Sequence, residues 1–247
     1  MLPRGPHRTR RSRPDQTDAT PLRHRLGAER VSKPIKIAWA VLAAIFVGIG
    51  VAVFAIDDDA SPTPADTAEV SDLVVRPDSH RLSSPEQSRA QFVEFLDFEC
   101  EACGAVYPII EDLRRAYGDR VTFVVRYFPM PGHFNAERAA RAVEAAAQQG
   151  RFEQMYQRMF ATQSQWGEQQ VPADDLFRSF AVDLGLDMAA FDAAYNSPAT
   201  LERIRADVAD GLSLGVQGTP TFFLDGKRLQ PSTIDELTAA VDEAASA

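Results

Sequence analysis

Two runs rich in aromatic and β-branched residues, Gln91–Phe98 and Val121–Phe128, flank a segment whose apolar residues return at helical spacing: Val106, Ile109, Ile110, Leu113 and Tyr117. Runs this short read as buried strands, and the three-to-four spacing reads as an amphipathic helix. A strand, a helix and a second strand of these lengths predict two parallel neighbours joined by a right-handed crossover. The chain is thereby committed to an α/β sheet. Gly118-Asp119 ends the helix, and Pro108 inside it predicts a kink where its missing N–H breaks the ladder.

The only two cysteines, Cys100 and Cys103, lie where the first strand meets that helix. Free N–H groups and the dipole at a helix N-terminus favour negative charge, so a thiolate is stabilised there. One turn of helix holds the two sulfurs within bonding reach. The first is expected to be exposed and activated, and the second lies nearer the interior, where it can attack back. These are the requirements of thiol–disulfide exchange. Two other chemistries share the spacing. A structural disulfide is one, although closing a two-residue loop constrains the unfolded chain very little. A zinc site is the other, with Cys-x-x-Cys as half the ligand set. Beyond the N-terminal tail the only histidines are His80 and His133, which are not at ligand spacing. The reading that follows calls for no metal and no cofactor.

The formal net charge of −9 hides an asymmetry. Residues 1–36 carry ten Lys and Arg against three Asp and Glu, whereas the rest of the chain carries sixteen against thirty-two. An acidic bulk excludes nucleic acid as the main partner, because phosphate contacts need clustered cations. The basic stretch, rich in Arg, Pro, Ser and Thr, reads as a disordered cytoplasmic tail. Residues 37–56 follow it without a single charge. Twenty residues at about 1.5 Å each match the ~30 Å hydrocarbon core of a bilayer, so this segment is expected to be a transmembrane helix embedded in lipid. A cleaved signal peptide fits less well, because the apolar run and the tail before it are both long and no small-x-small pattern follows. By the positive-inside rule everything after Ile56 lies outside the cytoplasm. Residues 57–77, with a triple Asp and several prolines, read as a flexible linker. Val70–Val75 is a candidate edge strand within it.

Beyond Pro129-Met130-Pro131-Gly132 a helical region is expected at about 133–214, with breaks at Gly150, Pro172 and Gly185. Its stripe Phe152, Met155, Tyr156, Met159 and Phe160 is read as packing between helices. Thr221–Leu224 then reads as a strand, Asp225-Gly226 as a tight hairpin turn, and Lys227–Gln230 as the return strand. Ser232 is positioned to cap a last amphipathic helix.

Phe92-Val93-Glu94-Phe95 leading into Cys100-Glu101-Ala102-Cys103, then Arg126-Tyr127-Phe128-Pro129, an Ala-rich helix, and Gly218-Thr219-Pro220-Thr221-Phe222-Phe223 together resemble the DsbA-like proteins of the thioredoxin superfamily. The resemblance covers roughly residues 78–247. It implies a thioredoxin-like α/β fold, a central mixed sheet flanked by helices, with a helical domain inserted between its halves and here preceded by one transmembrane helix. It also implies roles. Cys100 would be the nucleophile and Cys103 the resolving thiol. Pro220 would be a cis-proline facing the dithiol, with the backbone of Thr219 offered to an extended substrate. From the residues alone, an ordinary trans turn proline is equally compatible. Glu94 stands where the family places an acid beneath the active site. Its apolar neighbours favour burial over a water-facing edge position, and burial would raise its pKa and let it exchange a proton with Cys103.

One departure bears on redox strength. Strongly oxidising members carry a His between the cysteines, whereas this chain has Glu101-Ala102, with Glu99 just before. Negative neighbours disfavour a thiolate, so Glu99, Glu101 and Ala102 are expected to leave Cys100 less acidic and the dithiol less oxidising. The implied function is a membrane-tethered, extracytoplasmic thiol–disulfide oxidoreductase. Its partners would be cysteine-containing secreted or envelope polypeptides and a membrane redox protein that regenerates the dithiol. The rival is a membrane-anchored adaptor or chaperone with an inactive thioredoxin-like domain.

Overall fold

The structure, a computed structural model, describes residues 73–247. Five strands form one sheet: β1 (His80–Ser83), β2 (Ala90–Leu96), β3 (Val121–Tyr127), β4 (Thr221–Leu224) and β5 (Lys227–Leu229). Their order is β1-β3-β2-β4-β5. The two runs that stand out in the sequence are the central pair. β2 and β3 are parallel, with Ala90 opposite Val121 and Leu96 opposite Tyr127. They are joined through helix α1 (Glu101–Tyr117), which continues unbroken through Pro108. β4 runs antiparallel to β2, and β1 antiparallel to β3. The β4–β5 hairpin turns through Asp225-Gly226, both at positive φ, as that dipeptide suggests.

Alternation along β2 divides its side chains between two cores. Phe92 and Leu96 face a large cluster with Cys103, Val106 and Ile110 of α1. Val93 and Phe95 face a smaller one with Val124, Phe128 and Phe223. Between β3 and β4 the chain forms helices α2 (Ala136–Ala147), α3 (Phe152–Thr162), α4 (Asp174–Asp183), α5 (Met188–Tyr195) and α6 (Pro198–Ser213). The stripe read on α3 is buried as expected, and Met155, Tyr156 and Met159 are almost wholly excluded from solvent. Helix α6 approaches the smaller core closely at Gly211, where a Cβ would lie 2.8 Å from the Phe128 ring. A last helix, α7 (Ile234–Ser246), packs Leu237 and Val241 into the larger core.

Some expectations change. The tail, the transmembrane helix at 37–56 and most of the linker lie outside the described residues. Among those described, no helix is long and apolar enough to cross a membrane. The edge strand is His80–Ser83, and residues 73–75 do not join the sheet. The end of the linker is docked instead. Val74 is buried in the smaller core, and the Arg126 guanidinium donates to the carbonyls of Leu73 and Val74, both at 2.8 Å. Arg126 is itself fully buried and paired with Asp207 and Asp210. The cap of α7 is Thr233, one residue later than expected. Its hydroxyl accepts from the Glu236 N–H, while the Glu236 carboxylate accepts from the N–H of Ser232, the residue just before the cap.

Candidate active site

Cys100 is the N-cap of α1, with extended backbone (φ −65°, ψ 120°). The turn between β2 and α1 is held from three sides. Cys100 N–H donates to the Asp97 carbonyl at 3.1 Å. Asp97, buried at the strand end, accepts from the Glu99 N–H at 2.8 Å and the Met130 N–H at 2.9 Å. Gln163, in the turn after α3, donates to the carbonyls of Phe98 and Cys100 at 2.8 and 2.9 Å. That last contact needs a glycine beneath it: a Cβ on Gly104 would lie 2.0 Å from the Gln163 side-chain oxygen.

The two thiols are unbonded to each other and occupy different environments. Cys100 is less open than the sequence suggests, at 8 % exposure, while Cys103 is at 0 %. The Cys100 thiol donates to the Thr219 carbonyl at 3.3 Å, and the Thr219–Pro220 peptide bond is cis. The Cys100 pKa is lowered to about 5 by the Cys103 thiol, against the cost of burial, with further help from Thr219 and the N–H groups of Cys103 and Ala102. A carbonyl only accepts and does nothing for the anion. The Thr219 hydroxyl, buried and otherwise unpartnered, is the group there able to donate to sulfur once the proton leaves. Cys103 is pushed up instead, by burial first, then by donating to Cys100 and by the charge of Glu94.

Glu94 lies on β2 between Val125 of β3 and Phe222 of β4, buried, on the face that carries Phe92 and Leu96. Burial, then the charges of Cys100 and Glu111, raise its pKa to about 8. Glu99 is turned into the helical insert, where it is buried and accepts from the Asn135 N–H at 2.5 Å, and burial raises its pKa. Glu101 and Ala102 are exposed on the first turn. Glu99, Glu101 and Glu168 line a cavity of about 320 Å³ beside that turn, and a second of about 300 Å³ opens beside Pro220 and β5. Among the described residues, no three His, Cys, Asp or Glu side chains gather where they could hold a metal ion.

A thioredoxin family model matches residues 85–243. The chain belongs to the thioredoxin family. Its fold is that of the DsbA-like thiol–disulfide oxidoreductases. A thioredoxin-like oxidoreductase from Silicibacter pomeroyi DSS-3 superposes with a TM-score of 0.58 at 27% identity, covering 71% of this chain and 98% of that one. Alpha-DsbA1 of Wolbachia pipientis reaches 0.63 at 18% identity, covering 72% and 96%. BdbD of Bacillus subtilis reaches 0.58 at 18%, covering 68% and 94%. Similar curated proteins are named differently. A Na(+)/H(+) antiporter NhaA of Herminiimonas arsenicoxydans is 36% identical over 180 residues, which is 73% of this chain and 28% of that protein. NhaA 1 of Mycobacterium sp. (strain KMS) is 35% identical over 159 residues, 62% and 25%. The chain thus spans about a quarter of the length of these relatives.

In this thioredoxin-family site the sequence reading missed Asp97, His133, Gln163 and Gly104. The first three come together only through folding. Gly104 did leave a signal, since a glycine inside a helix costs about 1 kcal/mol relative to Ala and calls for a packing reason.

Proposed function

We propose that this chain is a membrane-tethered, extracytoplasmic oxidoreductase that exchanges disulfides with secreted or envelope polypeptides. The observation that carries the reading is the split between the two sulfurs across one helical turn, with Cys100 lowered to about 5 and Cys103 raised by burial. At pH 7 a thiol of pKa about 5 is roughly 99% ionised. Cys100 is therefore the attacking sulfur, and Cys103 is held in reserve.

In the reducing direction the Cys100 thiolate attacks one sulfur of a substrate disulfide. A mixed disulfide forms and one substrate thiolate leaves. Cys103 then loses its proton and attacks the Cys100 sulfur, releasing the second substrate thiolate and closing the Cys100–Cys103 disulfide. Two electrons have passed from the dithiol to the substrate. The same steps reversed oxidise a substrate dithiol. Glu94 is suited to take the Cys103 proton at the right moment. The Cys100 anion helps hold Glu94 protonated, and that anion disappears when the mixed disulfide forms. The cis Thr219–Pro220 segment, placed against Cys100, supplies backbone for an extended substrate.

The tether rests on the uncharged stretch 37–56 behind a basic tail. The antiporter names of the relatives, which are names of membrane proteins, agree with a membrane setting. A membrane redox partner would then restore the dithiol or disulfide. The test is Cys103→Ala in the full chain. The variant should accumulate mixed disulfides at Cys100 that disappear on reduction. An adaptor would bind partners as before and trap none.

A further inference from the structure

The site contains a histidine, supplied not from between the cysteines but from the loop after β3. His133 Nδ1 lies 2.5 Å from Asp97 Oδ2, the same oxygen that accepts from the Met130 N–H. The other Asp97 oxygen accepts from Glu99 N–H, and the Asp97 carbonyl accepts from Cys100 N–H. One fully buried carboxylate therefore ties the turn that carries Cys100 to the loop that carries the imidazole. We infer that Asp97 and His133 form a counter-charge for the dithiol, with Asp97 positioning the imidazole and its cationic form stabilising the Cys100 thiolate. This inference rests on the oxidoreductase reading and adds a redox-setting pair to it.

A plain staple would need no imidazole, because Met130 N–H already joins the loop to Asp97. Nδ1 faces the carboxylate as the donor, which leaves Nε2 as the second ring nitrogen on a side chain 27% exposed. The groups that act on His133 share one sign: Asp97 at the end of β2, Glu99 in the turn, and Cys100 at the head of α1. The nearest cation along the chain, Arg138 on α2, is engaged with Asp174 and the Phe134 ring and carbonyl. Burial opposes a charged imidazole, yet Asp97, Cys100 and Glu99 together raise the His133 pKa above its usual value. The coupling is reciprocal: what the thiolate does for the imidazolium, the imidazolium does for the thiolate. The disulfide carries no such charge. A cation here stabilises the reduced form and makes the pair more oxidising.

The experiment is an NMR titration of the His133 imidazole in the full chain in detergent micelles, in dithiol and disulfide forms, assigned with His133→Gln. The His133 pKa should fall by roughly half a unit or more on oxidation. In His133→Gln the Cys100 pKa, read from thiolate absorbance, should rise by a similar amount. The equilibrium with glutathione should shift about threefold or more toward the reducing side. His133→Lys, which restores a cation without the ring, should recover most of that shift. Identical His133 titrations in both redox states, or a Cys100 pKa unchanged in His133→Gln, overturn the inference and leave the oxidoreductase reading intact. A native protein that reaches no equilibrium with glutathione overturns both.

Discussion

Replacing Cys103 by Ala tests what makes Cys100 acidic. The native thiol is lowered from its ordinary 9.0 to about 5, and the neighbouring Cys103 thiol is the largest contributor. Hydrogen bonds to charged groups contribute about 1.5–3 kcal/mol. Sulfur is a weak donor, so the low end applies. At about 1.4 kcal/mol per unit, losing that donor should raise the Cys100 pKa by roughly 1–2 units. The Ala102 and residue-103 N–H groups and the Thr219 hydroxyl remain, so the value should not return to 9.0. At pH 6 the thiolate fraction should drop from about 90% to roughly half or less. Absorbance at 240 nm, followed with pH, reads this directly, because Cys103 titrates far higher in the native protein. Iodoacetamide alkylation at fixed pH gives an independent measure. Cys103→Ser keeps a donor and should fall between the two. A Cys103→Ala variant that still titrates near 5 would refute the role of the second thiol. One that titrates near 9 would refute the contribution of the helix terminus and Thr219.

Glu94→Gln should change how stability depends on pH in the reduced protein. Glu94 has a folded pKa of about 8 against an ordinary 4.5, so the folded state binds more protons between those values and stability falls as pH rises through that window. The variant should lose that slope and gain on the native protein by up to roughly 5 kcal/mol above pH 8, as an upper bound, in urea unfolding; parallel curves for the two would contradict the assignment. Gly211→Ala should cost about 1–3 kcal/mol of stability through overpacking, read as a lower urea midpoint, because its Cβ meets the Phe128 and Phe95 rings at 2.8 and 3.1 Å. Arg126→Ala should cost about 3–5 kcal/mol, since it removes a cation from the buried Asp207 and Asp210. It should also speed amide exchange around residues 73–76, where Arg126 holds the carbonyls of Leu73 and Val74.

What could be read from the chain was whatever depends on local pattern. β2, α1 and β3 announce themselves by periodicity, Asp225-Gly226 by turn chemistry, and Cys100 by its place at a helix start. Glu94 was legible as a buried acid because apolar residues flank it within one strand. What could not be read depends on residues far apart in sequence. Asp97 and His133 are thirty-six positions apart, and nothing local says that a strand end and a loop will share a hydrogen bond. The placement of Glu99 was not legible for the same reason. Its proximity to Cys100 in sequence suggested an electrostatic opponent, whereas its carboxylate is carried into the insert by Asn135. β1 escaped notice because His80–Ser83 is short, sits at the sheet edge and has no alternating pattern to reveal it.

The asymmetry of the dithiol then has a source in the architecture rather than in the motif alone. A helix that starts at Cys100 gives that sulfur the free N–H groups of its first turn. The same helix, by packing its third residue onto the sheet, places Cys103 over the acid of β2 and away from water. One geometric act therefore lowers one thiol and raises the other. The helical insert works on the same turn from the opposite side, through Gln163 on the carbonyls of Phe98 and Cys100 and through Asn135 on Glu99. It thereby fixes the backbone around Cys100 and holds the Glu99 carboxyl within the insert. A Cys-x-x-Cys lacking a histidine between its cysteines can in this way keep an acidic first thiol, because the surrounding fold supplies what the two intervening residues do not.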